Sequence, residues 1–146
     1  MDKRSFEQLQ NKIVALLRQK NKPLYLLAED NCSEVARLAG CWILEKMPDA
    51  QIFIAKGDRI MGGKNKSHDV ILVDSKKGVH IIDPTVWQFF KNKRSIAITM
   101  TETVESALYA LEKIYKGKWK ISEKINKKTC TQKKEWQDII KKNNYE

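Results

Sequence analysis

The chain has 146 residues, 42% of them hydrophobic, and a formal net charge of +10. That length and composition suit one globular domain spanning 1–146, and exclude a disordered chain. No apolar run approaches a bilayer span, and "MDKRSFEQLQ" has no apolar segment of the kind a secretory signal carries.

In chain order, Ser5 with Gln8 forms a capping-box pattern ahead of Phe6, Leu9, Ile13, Leu16 and Leu17 at helical spacing. A helix is predicted over 5–20, ended by Asn21–Pro23. The apolar run Leu24–Ala28 leads to Asp30 and Asn31, both good N-cap residues. Val35, Leu38, Ala39, Trp42 and Ile43 then mark a second helix over Cys32–Met47. Segments 51–57, 68–74, 79–83 and 95–99 read as strands, the middle two joined as a hairpin by "SKKG". A strong amphipathic helix follows over 101–116, then a strand over 118–125 and a last helix over 131–142. The order is α+β: N-terminal helices, an antiparallel sheet on which the second helix packs, and a C-terminal helix.

Chemistry turns on the three cysteines. Only a thiolate is a nucleophile, and helix starts and neighbouring imidazolium groups favour it. Cys32 opens a helix. Cys41 lies more than two turns inside the same helix, on its apolar stripe, and reads as a small core residue. Cys130 falls in a lysine-rich loop and reads as an exposed bystander. Without a secretory signal, all three thiols are expected reduced, in a cytosol.

Two further residues complete a site. With the hairpin turn centred at Ser75–Lys76, His68 faces Asp83. Opposed residues have Cβ atoms roughly 4.5–5.5 Å apart. The carboxylate then fixes the imidazole tautomer, and the other ring nitrogen faces the nucleophile. Cys32, His68 and Asp83 thus supply nucleophile, base and orienting acid. His80 should point to the opposite sheet face from Asp83. The histidines and cysteines form no close ligand pairs, so neither metal nor cofactor is expected.

A helix-opening cysteine followed by "HDVILVDSKKGVHIIDPT" resembles the papain-like and transglutaminase-like cysteine hydrolase superfamily. The resemblance covers about 30–90, and "DPTVWQF" (83–89) is similar to the end of papain-like toxin and effector domains. Several of those are protein-glutamine deamidases delivered into host cells. The resemblance implies a compact papain-like core, the roles above for Cys32, His68 and Asp83, and a substrate contact for Gln88. It implies a cytoplasmic protein, or one delivered into a target cytosol by a route without a cleaved signal. Two departures stand out. Papain-type proteases carry a glutamine oxyanion donor six residues before the cysteine, where this chain has Leu26. That leaves the N–H of Cys32, with Asn31 as helper. Only 36 residues separate Cys32 from His68, little chain for a deep peptide cleft.

The reaction expected is acyl transfer through a thioester: glutamine deamidation, transglutamination or peptide cleavage share these residues. The 62–66 glycine–lysine segment reads as a flap over the site or as an ordinary solvated loop. Trp87 and Phe90 read as core aromatics. Over 113–146, eleven lysines face four acidic residues. As an enzyme, the chain would use this surface to recruit an acidic protein substrate. As a non-enzymatic module, it would bind nucleic acid or an acidic protein, although no nucleic-acid motif accompanies it.

Overall fold

The computed structural model describes residues 1–18, 23–92 and 95–145. Its helices are α1 (Lys3–Leu17), α2 (Leu24–Asp30), α3 (Cys32–Lys46), α4 (Val104–Tyr115) and α5 (Lys133–Tyr145). Its strands are β1 (Gln51–Asp58), β2 (Ser67–Ser75), β3 (Gly78–Ile82), β4 (Ala97–Thr101) and β5 (Lys118–Ile125). The fold is α+β. One antiparallel sheet runs in the order β4-β3-β2-β1-β5.

Both faces of the sheet are covered. Helices α1, α3 and α5 pack on Ile52, Ile54, Ile71, Val73, Ile82 and Ile125. Helix α4 packs on Val70, Leu72, Val79 and Ile81. This explains why 70–73 is a continuous apolar run: each residue of β2 there has a core to enter, whichever way it points. Among the described residues, no helix is long and apolar enough to cross a membrane.

Local chemistry moves several predicted boundaries. Asp2, not Ser5, caps α1: its carboxylate accepts from the Ser5 N–H at 2.8 Å. Residues 19–22, where that helix was expected to end, lie outside the described residues. The run Leu24–Ala28 is itself helical, entered through Pro23, whose fixed φ of −58° suits a helix start. Helix α4 begins at Val104, where Thr103 and Ser106 cap each other reciprocally.

The hairpin register also differs. Ser75 pairs with Gly78 and Ile71 with Ile82, so the turn is Lys76–Lys77 and the ladder is displaced by two residues. Gly78 sets this, since it adopts φ +128°, and a Cβ there would meet the Thr101 carbonyl oxygen at 2.7 Å. His68 pairs with Gly57 of β1 rather than with Asp83, which lies just beyond β3. A slip of two preserves the side-chain face. His68 and Asp83 therefore still point the same way.

Cys41 and Cys130 are bonded to each other, with Cα atoms 5.6 Å apart. This corrects the expectation of three reduced thiols and of a bystander Cys130. The bridge ties α3 to the short turn before α5. Nothing local in the sequence announces it, because its halves lie 89 residues apart and meet only when α5 docks.

Candidate active site

Cys32 is the first residue of α3, and the N–H groups of that first turn have no partner within the helix. The β2 strand begins beside it. His68 Nδ1 lies 3.1 Å from Cys32 Sγ, and the Asp69 backbone N–H donates to the same sulfur at 3.5 Å. Arg37 holds this junction. Its guanidinium pairs with Asp69 Oδ2 at 3.3 Å and Glu123 Oε1 at 2.9 Å, and donates to the Ser33 carbonyl at 3.0 Å. The first turn of α3 is thereby fixed against β2 and β5.

On the other side of the ring, His68 Nε2 lies 2.8 Å from Asp83 Oδ2, and both side chains are fully buried. Asp83 Oδ1 accepts from the Thr85 N–H at 3.1 Å. The turn that Pro84 starts thus caps the carboxylate as it leaves β3. The structure brings Cys32, His68 and Asp83 together in that order.

Burial alone would push the His68 pKa down. The Asp83 carboxylate, the Cys32 sulfur and the hydrogen bonds to both outweigh it, and raise the value to about 10. A value in that range favours the protonated ring at neutral pH, with Nδ1 directed at Cys32 Sγ.

Aromatic rings enclose the imidazole. Phe89 meets it edge-on at 4.8 Å between centroids, Tyr115 at 5.4 Å and Trp119 at 6.3 Å. Trp119 reaches this position across Gly57, where a Cβ would stand 2.4 Å from the indole.

Gln88 lines the cleft beside the imidazole. Its Nε2 lies 3.1 Å from His68 Nδ1 and donates to Thr85 Oγ1 at 2.9 Å. Asn31 does not fill the role of oxyanion helper. Its side chain is fully buried, Nδ2 donates to the Leu27 carbonyl at 2.7 Å, and Oδ1 accepts from Asn143 of α5 at 3.2 Å. It anchors the start of α3 instead of facing the thiol. Nor does its side chain make a capping bond to the helix. The Asp30 side chain lies outside the described residues. Leu26 is 40% exposed and offers no donor in place of a glutamine.

His80 packs on Phe6 of α1, on the sheet face away from Asp83, in line with the strand alternation. Burial, then the N-terminal charge and Lys77, hold its pKa low. Trp87 is buried in the core, as its size suggested.

Like Arg37 and Trp119, one further residue has a part in the site that the sequence does not announce. Tyr115, the last of α4, is fully buried and donates its hydroxyl to Asp83 Oδ2. In the sequence it is one more member of an apolar stripe.

The thiol opens onto a cleft of about 670 Å³. Its walls are α2, the start of α3, the end of the β1–β2 loop and the segment after Pro84. The 62–66 segment contributes Asn65 and Lys66 to that wall. The lining mixes charge, with Glu29 and Glu34 alongside Lys66 and Lys91. Comparisons of the chain with family models, with curated proteins and with solved structures find no match.

Proposed function

We propose that this chain is a cysteine-dependent amidohydrolase of the papain-like and transglutaminase-like kind, acting on glutamine side chains of a protein substrate. One observation carries the reading. A buried Asp83–His68 pair presents Nδ1 to a helix-opening thiol at 3.1 Å, at the floor of an open cleft. Structural ion pairs are common, but one aimed at the single free cysteine is what thiol chemistry requires.

Cys32 Sγ attacks the carboxamide carbon and a C–S bond forms. The carbonyl oxygen takes up negative charge beside the first N–H groups of α3. As the tetrahedral centre collapses the C–N bond breaks, and the Nδ1 proton of His68 leaves with ammonia. Water then attacks the thioester and gives a proton to Nδ1. The C–S bond breaks, which restores the thiolate and releases glutamate. Asp83 holds the ring in place throughout. Gln88 stands beside Nδ1, where the departing nitrogen and the entering water must pass. An amine in place of water would give transglutamination.

The glutamine preference comes from the resemblance of the 68–90 segment, and the open, polar cleft suits a side chain on a folded protein. The test is ammonia release from a glutamine-rich protein such as casein, with Cys32→Ala as control. Ammonia without chain cleavage, lost in the variant, is the expected result. New peptide termini would make the enzyme a peptidase. Neither product would return attention to the lysine-rich C-terminal surface as a binding site.

A further inference from the structure

The Asp83 carboxylate is held by more than the triad reading needs. Oδ2 accepts from both His68 and Tyr115, and Oδ1 accepts from the Thr85 N–H. The phenol is the one polar group that α4 brings to this site. The rest of its buried face is Ala107 and Leu111. A phenylalanine at 115 would fill the same aromatic contacts, with Trp119 at 5.4 Å and Phe90 at 5.5 Å. Packing therefore accounts for the ring and not for the hydroxyl.

A buried hydroxyl needs a partner. Here the partner is the very oxygen that binds the imidazolium. Burial and the nearby carboxylate push the Tyr115 pKa far up, so the phenol stays a donor. Its hydrogen takes a share of the charge on Oδ2 that would otherwise attract His68. Asp83 thus has two donors competing for one oxygen.

The consequence concerns proton release. A general acid works best when its pKa is near the working pH. His68 sits well above neutrality at about 10, and a still tighter hold would make it slower to release its proton to the departing nitrogen. We propose that Tyr115 is a positioning residue of the His68–Asp83 pair: by sharing Oδ2 it limits how tightly the carboxylate grips the imidazolium, and so keeps His68 a usable acid. This rests on the thiol-hydrolase reading above.

The titratable neighbours of His68 are Cys32 from α3, Asp83 after β3 and Tyr115 from α4. Trp119 of β5 and the residues after Pro84, Gln88 and Phe89, are uncharged. The charged residues Glu29, Glu34, Lys66, Asp69 and Lys91 line the cleft mouth. A substitution at 115 changes only one of these groups.

The test is Tyr115→Phe in the full chain, with two readouts that need no substrate. One is the imidazole titration of His68 followed by NMR. The other is the rate of Cys32 alkylation by iodoacetamide from mildly acidic to strongly alkaline pH. We expect the His68 titration to move upward by about half a pH unit or more, since a shared charged hydrogen bond is lost. Ammonia release should fall several-fold in kcat with KM unchanged.

If the variant does not fold, replacing the tyrosines with 3-fluorotyrosine strengthens the donor at unchanged shape. The His68 titration should then move downward. An unmoved titration in whichever protein folds, with fast alkylation retained, overturns the role of Tyr115 alone. A wild-type His68 that titrates near 6.5, with Cys32 alkylated no faster than a free thiol, overturns the hydrolase reading itself.

Discussion

Cys32 Sγ and His68 Nδ1 meet at 3.1 Å across 36 residues of chain, while the opposite ring nitrogen is engaged by Asp83. With an imidazole nitrogen placed to take its proton, Cys32 should be alkylated faster than an ordinary thiol. At pH 6, iodoacetamide should label Cys32 rapidly. His68→Ala should slow the reaction by about two orders of magnitude, the effect of losing a positioned proton acceptor. Peptide mass mapping reads this directly. Equal rates in the two proteins would remove the pair.

The His68–Asp83 pair also predicts a pH dependence of stability. A raised folded-state pKa means that the folded chain holds a proton which the unfolded chain gives up near 6.5. The stabilisation is full below that value and is lost as pH rises towards about 10. Urea denaturation at a series of pH values should show this decline in the wild type, and a flatter profile in His68→Gln. Asp83→Ala leaves the imidazolium without its counter-charge, and should cost about 3–5 kcal/mol near neutral pH.

Gly57 has a packing duty that reaches the site. A Cβ there would stand 2.4 Å from the Trp119 indole, which lies over the strand toward His68. Gly57→Ala should destabilise the fold by about 1–3 kcal/mol through overpacking. It should also slow Cys32 alkylation. Adding Trp119→Leu should recover part of the stability loss, a non-additive pairing that a double-mutant cycle detects.

The Cys41–Cys130 bridge closes a long loop, and chain-entropy arguments give it about 4–5 kcal/mol of stabilisation. Reduction of the Cys32→Ser protein should lower its urea midpoint accordingly. An identical midpoint with and without reductant would show that the two cysteines are not joined in solution.

Much of this was legible in the sequence, for reasons that differ by residue. Cys32 is legible as a helix-opening residue because Asn31 and the stripe from Val35 place a helix start at that point. The proximity of His68 and Asp83 is legible despite a wrong register, because an error of two residues leaves both side chains on one face. Gly78 held the information that would have corrected it, since its positive φ places the turn at Lys76–Lys77. Asn31 was legible as a helix boundary and not as an anchor, because Asn143, its partner, lies at the far end of the chain. Tyr115 was hidden by its neighbours: a hydroxyl at the end of an apolar stripe has no sequence signature. The disulfide was hidden for a related reason, as its halves are brought together only by the docking of α5 on α3.

The bridge has a topological consequence. Its covalent ring runs from Cys41 to Cys130 and contains His68, Asp83, Gln88 and Tyr115, with Cys32 outside it. The ring includes the exposed β1–β2 loop, where Lys64 lies open to solvent. A protease that cuts after Lys64 produces one piece with Cys32 and Cys41 and another with His68, Asp83 and Cys130. The disulfide staples those pieces together, so Cys32 and His68 stay in one molecule after the backbone is severed. Such a nicked form migrates as a single species until a reductant divides it in two.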